Sequence, residues 1–303
     1  MKTVLKWAGR LSIALMVSIA VAALGVYVSS EARLQRKYDI QSAALMTSAD
    51  GSDLSRGKHV ATIRGCVACH GSNLAGRVFL DHPMIGRFVA SNLTAGHGGI
   101  GAQYSDSDWA RAIRHGVNRS GRALLVMPSI EFFYLSDADL SALVAYVKRV
   151  PSVDNVLPPS AVSLIGRGVI TLKRDVSILS AERIDHNAPH PVAPAVGVTA
   201  DYGRYLASTC RGCHGDGFSG GAIPGAPPNW PPAPNLTPEA GAALARWSLP
   251  QFAQTLRTGN TPEGKALDPR YMPWKVLGQM TDDELQALWL FLRSLAPKPY
   301  GNR

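Results

Sequence analysis

The sequence predicts a mainly α-helical chain, with two tandem copies of one small domain behind a single N-terminal apolar helix. Three observations carry this. The pentapeptide Cys-x-x-Cys-His occurs twice, at 66–70 and 210–214, and it uses all four cysteines of the chain. The residues around the two copies repeat at a nearly constant offset. Near the N-terminus, Leu11 to Val28 runs 18 residues without a charge.

The pentapeptide is the attachment signature of c-type haem. Two cysteines at this spacing each form a thioether with one haem vinyl group, and the adjacent histidine supplies the proximal iron ligand. Cys66, Cys69, Cys210 and Cys213 are thus the attachment points, and His70 and His214 the proximal ligands, of two covalent haem c groups. Thioredoxin-type and zinc sites use the same cysteine spacing. The first needs a βαβ context that is not visible here, and a four-cysteine zinc site leaves both histidines without a purpose.

The repeat supports one haem per half. Asn92-Leu93-Thr94 recurs as Asn235-Leu236-Thr237, and Met127-Pro128 as Met272-Pro273. Upstream, Gly57-Lys58-His59-Val60-Ala61 matches Gly203-Arg204-Tyr205-Leu206-Ala207. Leu54 to Arg64 and Asp201 to Ser208 read as the helices leading into the haem motifs. Glycine within a helix costs about 1 kcal/mol against alanine, so the recurrence of Gly57 and Gly203 points to a close helix crossing. A second helix follows Ser105 and Ser248, and a third follows Ser136 and Thr281. Thr281 with Glu284, and Ser248 with Gln251, fit a reciprocal capping box, and the Asp108 and Asp139 versions are looser. The third helices carry apolar stripes, Leu140, Leu143, Val144 and Val147 against Leu285, Leu288, Trp289 and Leu292, and Pro151 and Pro297 stop them.

A sixth ligand separates electron transfer from small-molecule binding at haem iron. Met127 and Met272 are the candidates, since both precede proline at matching positions before the third helix. Met84 has no counterpart, and Met280 reads as local packing. His59, His82, His97, His115, His186 and His190 have no histidine counterparts and read as surface or hydrogen-bonded residues.

On these elements each half resembles a class I cytochrome c domain. The set resembles the membrane-bound cytochrome c subunits of bacterial periplasmic alcohol, aldehyde and sugar-acid dehydrogenases, over about residues 40 to 300. Those subunits commonly carry three haem domains, against two here. The resemblance implies an electron carrier without substrate chemistry of its own. Its donor would be a periplasmic dehydrogenase subunit, and its acceptor another cytochrome, a terminal oxidase or quinone. The rival reading is a dihaem cytochrome c peroxidase, which needs an open iron position and which the matched Met-Pro pairs disfavour.

Residues 1–40 read as a signal anchor or signal peptide with a short tether. An uncharged run of 18 residues is closer to a spanning helix of about 17–25 residues than to a signal core of about 7–15. The possible cleavage sites are Val28-Ser29-Ser30 and Ser30-Glu31-Ala32. Haem attachment outside the cytoplasmic membrane, which the resemblance implies, puts the body in the periplasm of a bacterial inner membrane. The expected domains are 41–152 and 198–303, joined by a proline-rich, ordered connector at 153–197. Its stretch from Ala161 to Glu182 is apolar but interrupted by Arg167, Lys173, Arg174 and Asp175, so it is not a second span. The glycine- and proline-rich run from Gly215 to Pro234 reads as a loop wrapping the second haem. Of the net charge of +9, residues 1–40 hold six Lys/Arg against two Asp/Glu. The modest remainder does not indicate nucleic-acid binding.

Overall fold

The computed structural model describes residues 2–40, 51–173, 178–226 and 229–303. The expected boundary at residue 41 and the connector charges Arg174 and Asp175 lie outside the described residues. Helix α1 (Lys2–Leu34) is 33 residues long and is exposed over nearly its whole length. It is long and apolar enough to cross a membrane.

The first half contains α2 (Gly51–Ile63), the motif helix α3 (Cys66–His70), strands β1 (Arg77–His82) and β2 (Gly86–Ala90), then α4 (Asp106–His115), α5 (Ser129–Phe132) and α6 (Asp137–Val147). In the connector stand β3 (Ala161–Val162) and α7 (Leu164–Leu172). The second half contains α8 (Ala200–Leu206), the motif helix α9 (Arg211–His214), α10 (Ala243–Arg246), α11 (Leu249–Thr258), α12 (Trp274–Leu277) and α13 (Asp282–Ser294).

In each half the first and last helices cross at a glycine. A Cβ on Gly57 would stand 2.0 Å from the Ala142 carbonyl oxygen, and one on Gly203 would stand 1.9 Å from that of Ala287. The backbones touch there, and only glycine permits it. Around each crossing lies a separate apolar core. Val60, Trp109, Phe132, Leu140, Leu143 and Val144 are among the residues filling the first, and Leu206, Phe252, Leu256, Leu285, Leu288 and Leu292 among those filling the second.

Two local expectations need correction. Between the first haem motif and Asn92 the chain forms an antiparallel hairpin, β1 with β2, and β3 adds to its edge. The helical reading overlooked it, although the apolar and β-branched residues flanking Pro83–Gly86 carry the signal. Among the described residues the second half has no counterpart, and there the 215–234 loop is closed by a bridge between Gly221 and Ala233. Ser105 and Asp108 also form a full reciprocal capping box, as Ser248–Gln251 and Thr281–Glu284 do. At Ser136 only the forward bond to the Asp139 amide is present.

The two halves meet by exchanging polar contacts. Asp139 pairs with Arg56 of its own half and accepts from the Tyr205 hydroxyl of the other. Glu284, at the matching position, accepts from Tyr202 of its own half at 3.3 Å and from His59 of the other at 2.8 Å. His59 is therefore an interface residue. Arg64 crosses the same seam, donating to the Ser208 hydroxyl at 2.9 Å and to the Leu206 and Tyr205 carbonyls at 3.2 and 3.3 Å. The connector packs on the first half. There His115, which is buried, meets His186 at 3.1 Å between Nδ1 atoms, with His190 beside it. Of the surface or hydrogen-bonded settings expected for His115, the structure gives the second. Burial pushes His115 down to about 4, so it is held neutral.

Gly57→Ala and Gly203→Ala are each expected to lose about 3 kcal/mol through backbone overpacking. Gly168→Ala, on α7 with nothing within 4 Å of its Cβ position, is expected to gain about 0.5–1 kcal/mol. Denaturant midpoints of the three variants measure both effects. The hydrogen bond to Glu284 raises the His59 imidazole above its ordinary value of 6.5. This stability is fully present below 6.5 and is lost as pH climbs through the raised value. In a pH series of thermal denaturation, His59→Gln should therefore trail the parent by about 0.5–1 kcal/mol at the acidic end, the size of a partly exposed pair. The gap should close toward alkaline pH.

Candidate haem sites

Each motif helix is set by a run of tight turns that the two halves share. The amide of Gly76 donates to the His70 carbonyl at 2.8 Å, and that of Gly220 to the His214 carbonyl at 2.9 Å. Leu74 and Phe218, at matching places, both take a left-handed backbone with φ of 58° and 59°. Such a conformation is uncommon for residues with a Cβ. The turns carry the chain back to the Asn-Leu-Thr segments, where the amides of Leu93 and Leu236 bond the carbonyls of these same two residues.

The imidazoles are fixed by the backbone. His70 Nδ1 lies 2.8 Å from the Ser91 carbonyl oxygen, and His214 Nδ1 lies 2.8 Å from that of Pro234. A carbonyl only accepts, so Nδ1 carries the proton and Nε2 keeps its lone pair. That is the tautomer a metal-ligating histidine needs, with the orienting bond on the opposite nitrogen. Burial lowers both imidazoles from their ordinary value, which keeps them neutral.

Asn-Leu-Thr supports this arrangement. The Asn92 carboxamide oxygen accepts from the Thr94 amide at 3.0 Å and hydroxyl at 2.8 Å, and its nitrogen donates to the Val153 carbonyl at 2.8 Å. Asn235 repeats the pattern with Thr237 and with the Lys298 carbonyl at 2.8 Å. Each motif thus ties the segment after the last helix to the residue that holds the histidine. Sequence reasoning found the motif but missed Ser91 and Pro234, which act through main-chain carbonyls and leave no signal in residue type.

No disulfide joins any of the four cysteines. Among the described residues no three His, Cys, Asp or Glu side chains are placed to hold a metal ion. Met127 packs on the same apolar cluster as Cys66 and Val67, and Met272 on that of Cys210. Val126, with φ of 66°, swings the chain into Met127, and its amide bonds the Ile178 carbonyl of the connector at 2.7 Å. Met84 is exposed and Met280 is buried in the second core. Trp109 is buried in the first core, and its indole N–H has no partner among the described residues. A donor left over beside this site fits a haem propionate. The residues present therefore fit covalent haem in both halves.

The segment following each methionine touches the attachment turn of the other half. Four residues beyond Met127, Glu131 stands against Gly212, whose Cβ position lies 2.1 Å from a carboxylate oxygen. Four residues beyond Met272, Val276 lies 3.9 Å from the Cβ position of Gly65. Glu131 and Val276 hold matching places, but Gly212 lies within its motif and Gly65 just before its own, and one side chain is acidic and the other apolar. Burial pushes Glu131 up to about 7, with Arg64 opposing the rise.

Comparison with known proteins agrees with this geometry. The family model for cytochrome c matches residues 54–151 and 200–296. The fructose dehydrogenase cytochrome subunit of Gluconobacter japonicus is 27% identical over 273 residues, covering 83% of this chain and 54% of the relative. The cytochrome c subunit of the quinone alcohol dehydrogenase of Gluconacetobacter polyoxogenes is 29% identical over 284 residues, covering 83% and 58%. The gluconate 2-dehydrogenase cytochrome c subunit of Pantoea cypripedii is 30% identical over 275 residues, covering 81% and 60%. The chain thus spans between half and two-thirds of the length of these curated relatives. With two matched copies that together occupy most of its length, the chain belongs to the cytochrome c family.

Proposed function

We propose that the chain is a membrane-anchored dihaem electron relay, the cytochrome subunit of a periplasmic dehydrogenase. Its donor is that dehydrogenase, and its acceptor is another cytochrome, a terminal oxidase or quinone. The observation that carries this reading is the matched presentation of His70 and His214, each with Nδ1 bound to a carbonyl and Nε2 left to bind metal. The dehydrogenase partner follows from the printed functions of the relatives. None of these is a peroxidase, and the second reading has no observation in its favour.

Bound at these sites, haem c supplies one-electron ferric–ferrous chemistry. The protein does the rest. His70 and His214 would hold the iron through Nε2, and Met127 and Met272 would supply a soft sulfur ligand. Cys66, Cys69, Cys210 and Cys213 would fix the groups covalently. Trp109 and Phe132 in one core, and Phe252 and Leu277 in the other, exclude water, which limits reorganisation when charge moves. Glu131 and Val276 join each attachment turn to the opposite half, so the two sites share one protein wall. Helix α1 tethers the body on the periplasmic side of the inner membrane. At 1.5 Å per residue its 33 residues reach about 50 Å, against about 30 Å of hydrocarbon.

Pyridine haemochrome analysis of the purified chain should give two c-type haems, and zinc or a single haem would reject the proposal. Met127→Ala and Met272→Ala should each remove one methionine-to-iron charge-transfer band and lower the potential of that site alone. Glu131 adds a pH effect. Its proton is held more tightly when an electron arrives nearby. The potential of the second site should then fall as pH rises through about 7, by a fraction of ~59 mV per pH unit. Glu131→Gln should flatten this slope and leave the first site unchanged. Redox titrations at several pH values measure both.

A further inference from the structure

One face of the connector helix α7 is apolar and uncovered. Leu164, Ile165 and Leu172 are 54%, 56% and 80% exposed, and Val169 stands on the same side. The opposite face is packed. Gly166 approaches the hairpin so closely that its Cβ position lies 2.2 Å from the Ile85 carbonyl oxygen. Ser163 bonds the Ile85 carbonyl through its amide at 3.2 Å and the Met84 carbonyl through its hydroxyl. The hairpin tip adds its own exposed side chains, Met84 and Ile85, to the patch.

This patch is fixed beside the outer end of α1. Arg167 pairs with Glu31 at 2.8 Å, donates to the Ser30 hydroxyl at 3.0 Å and lies 4.5 Å over the Tyr27 ring. Arg33 pairs with Glu182 and donates to the Ile170 carbonyl. These groups occupy the turns immediately after the uncharged run that ends at Val28. Helix α7 is therefore pinned beside the place where α1 leaves its apolar stretch, in which Leu24, Tyr27 and Val28 are exposed. Exposed Lys173 follows Leu172, and Arg36 and Lys37 follow α1, where cations meet lipid headgroups.

We propose that α7 and the hairpin tip form a second membrane contact, lying in the headgroup region of the bilayer and holding the haem-bearing body at a fixed tilt. The occupant of the face is lipid, because α7 is held at the end of the exposed apolar run of α1 and exposed cations follow both helices. An amphipathic helix in this setting buries its apolar side at the boundary of headgroups and acyl chains. The inference rests on the reading of α1 as a spanning anchor.

The test uses the full haem-loaded chain in phospholipid nanodiscs. Single cysteines are introduced as Val17→Cys, Ile165→Cys, Leu172→Cys and Asp283→Cys and labelled with an environment-sensitive fluorophore. The native cysteines are committed to haem, and all four positions are exposed, so the haem spectrum should be unchanged in every variant. Labels at 165 and 172 should show a blue-shifted emission and quenching by lipids spin-labelled near the headgroup. The label at 17 should be quenched by lipids labelled deep in the chain, and that at 283 by neither. If 165 and 172 match 283 while 17 is lipid-buried, the face belongs to water or a protein partner, and the inference falls with the anchor intact. If 17 also reads as aqueous, the anchor reading falls and takes the inference with it.

Discussion

Backbone contact between the first and last helix of each half is the constraint on which the remaining structure depends. At Gly57 and Gly203 the helices approach until a main-chain carbonyl occupies the place of a side chain. This closeness sets the first residues of α6 and α13 beside α2 and α8. Asp139 and Glu284, third in their helices, then both reach across the seam, and Glu284 also caps its own N-terminus. The motif helices follow α2 and α8 by only a few residues, so the same crossing fixes where the histidines emerge.

Within each half the chain uses main-chain groups to hold the imidazole. The carbonyl before Asn-Leu-Thr accepts the Nδ1 proton, and the Asn and Thr side chains clamp that segment to the strand of chain after the last helix. A bond from the backbone cannot drift with side-chain substitution. This explains how two halves with different cores, Trp109 in one and Phe252 in the other, present the same nitrogen in the same way.

Much of this was legible in the sequence, and the failures have physical causes. Pattern repetition revealed the glycine crossing, the cap residues and the Met-Pro segments because each depends on a particular side chain. The carbonyls of Ser91 and Pro234 were invisible because any residue supplies one. The β1–β2 hairpin was missed because it occurs in one half only, so comparison of the halves offered no support. His59 looked like an isolated histidine because its partner lies 225 positions away, in the other copy. The partners of His115 were hidden for the same reason, since they come from the connector. The positions of Met127 and Met272 were readable, but the strained φ of Val126 that aims the first of them was not.

The swap of acids across the seam bears on motion. Tyr205 and His59 each satisfy a carboxylate belonging to the other copy, and Arg64 spans the junction between them. Swinging the copies apart would take Tyr205 from Asp139, leaving Arg56, and His59 from Glu284, leaving Tyr202 and the Thr281 amide. Parting the copies would therefore break the cross-seam ties of Tyr205, His59 and Arg64 together.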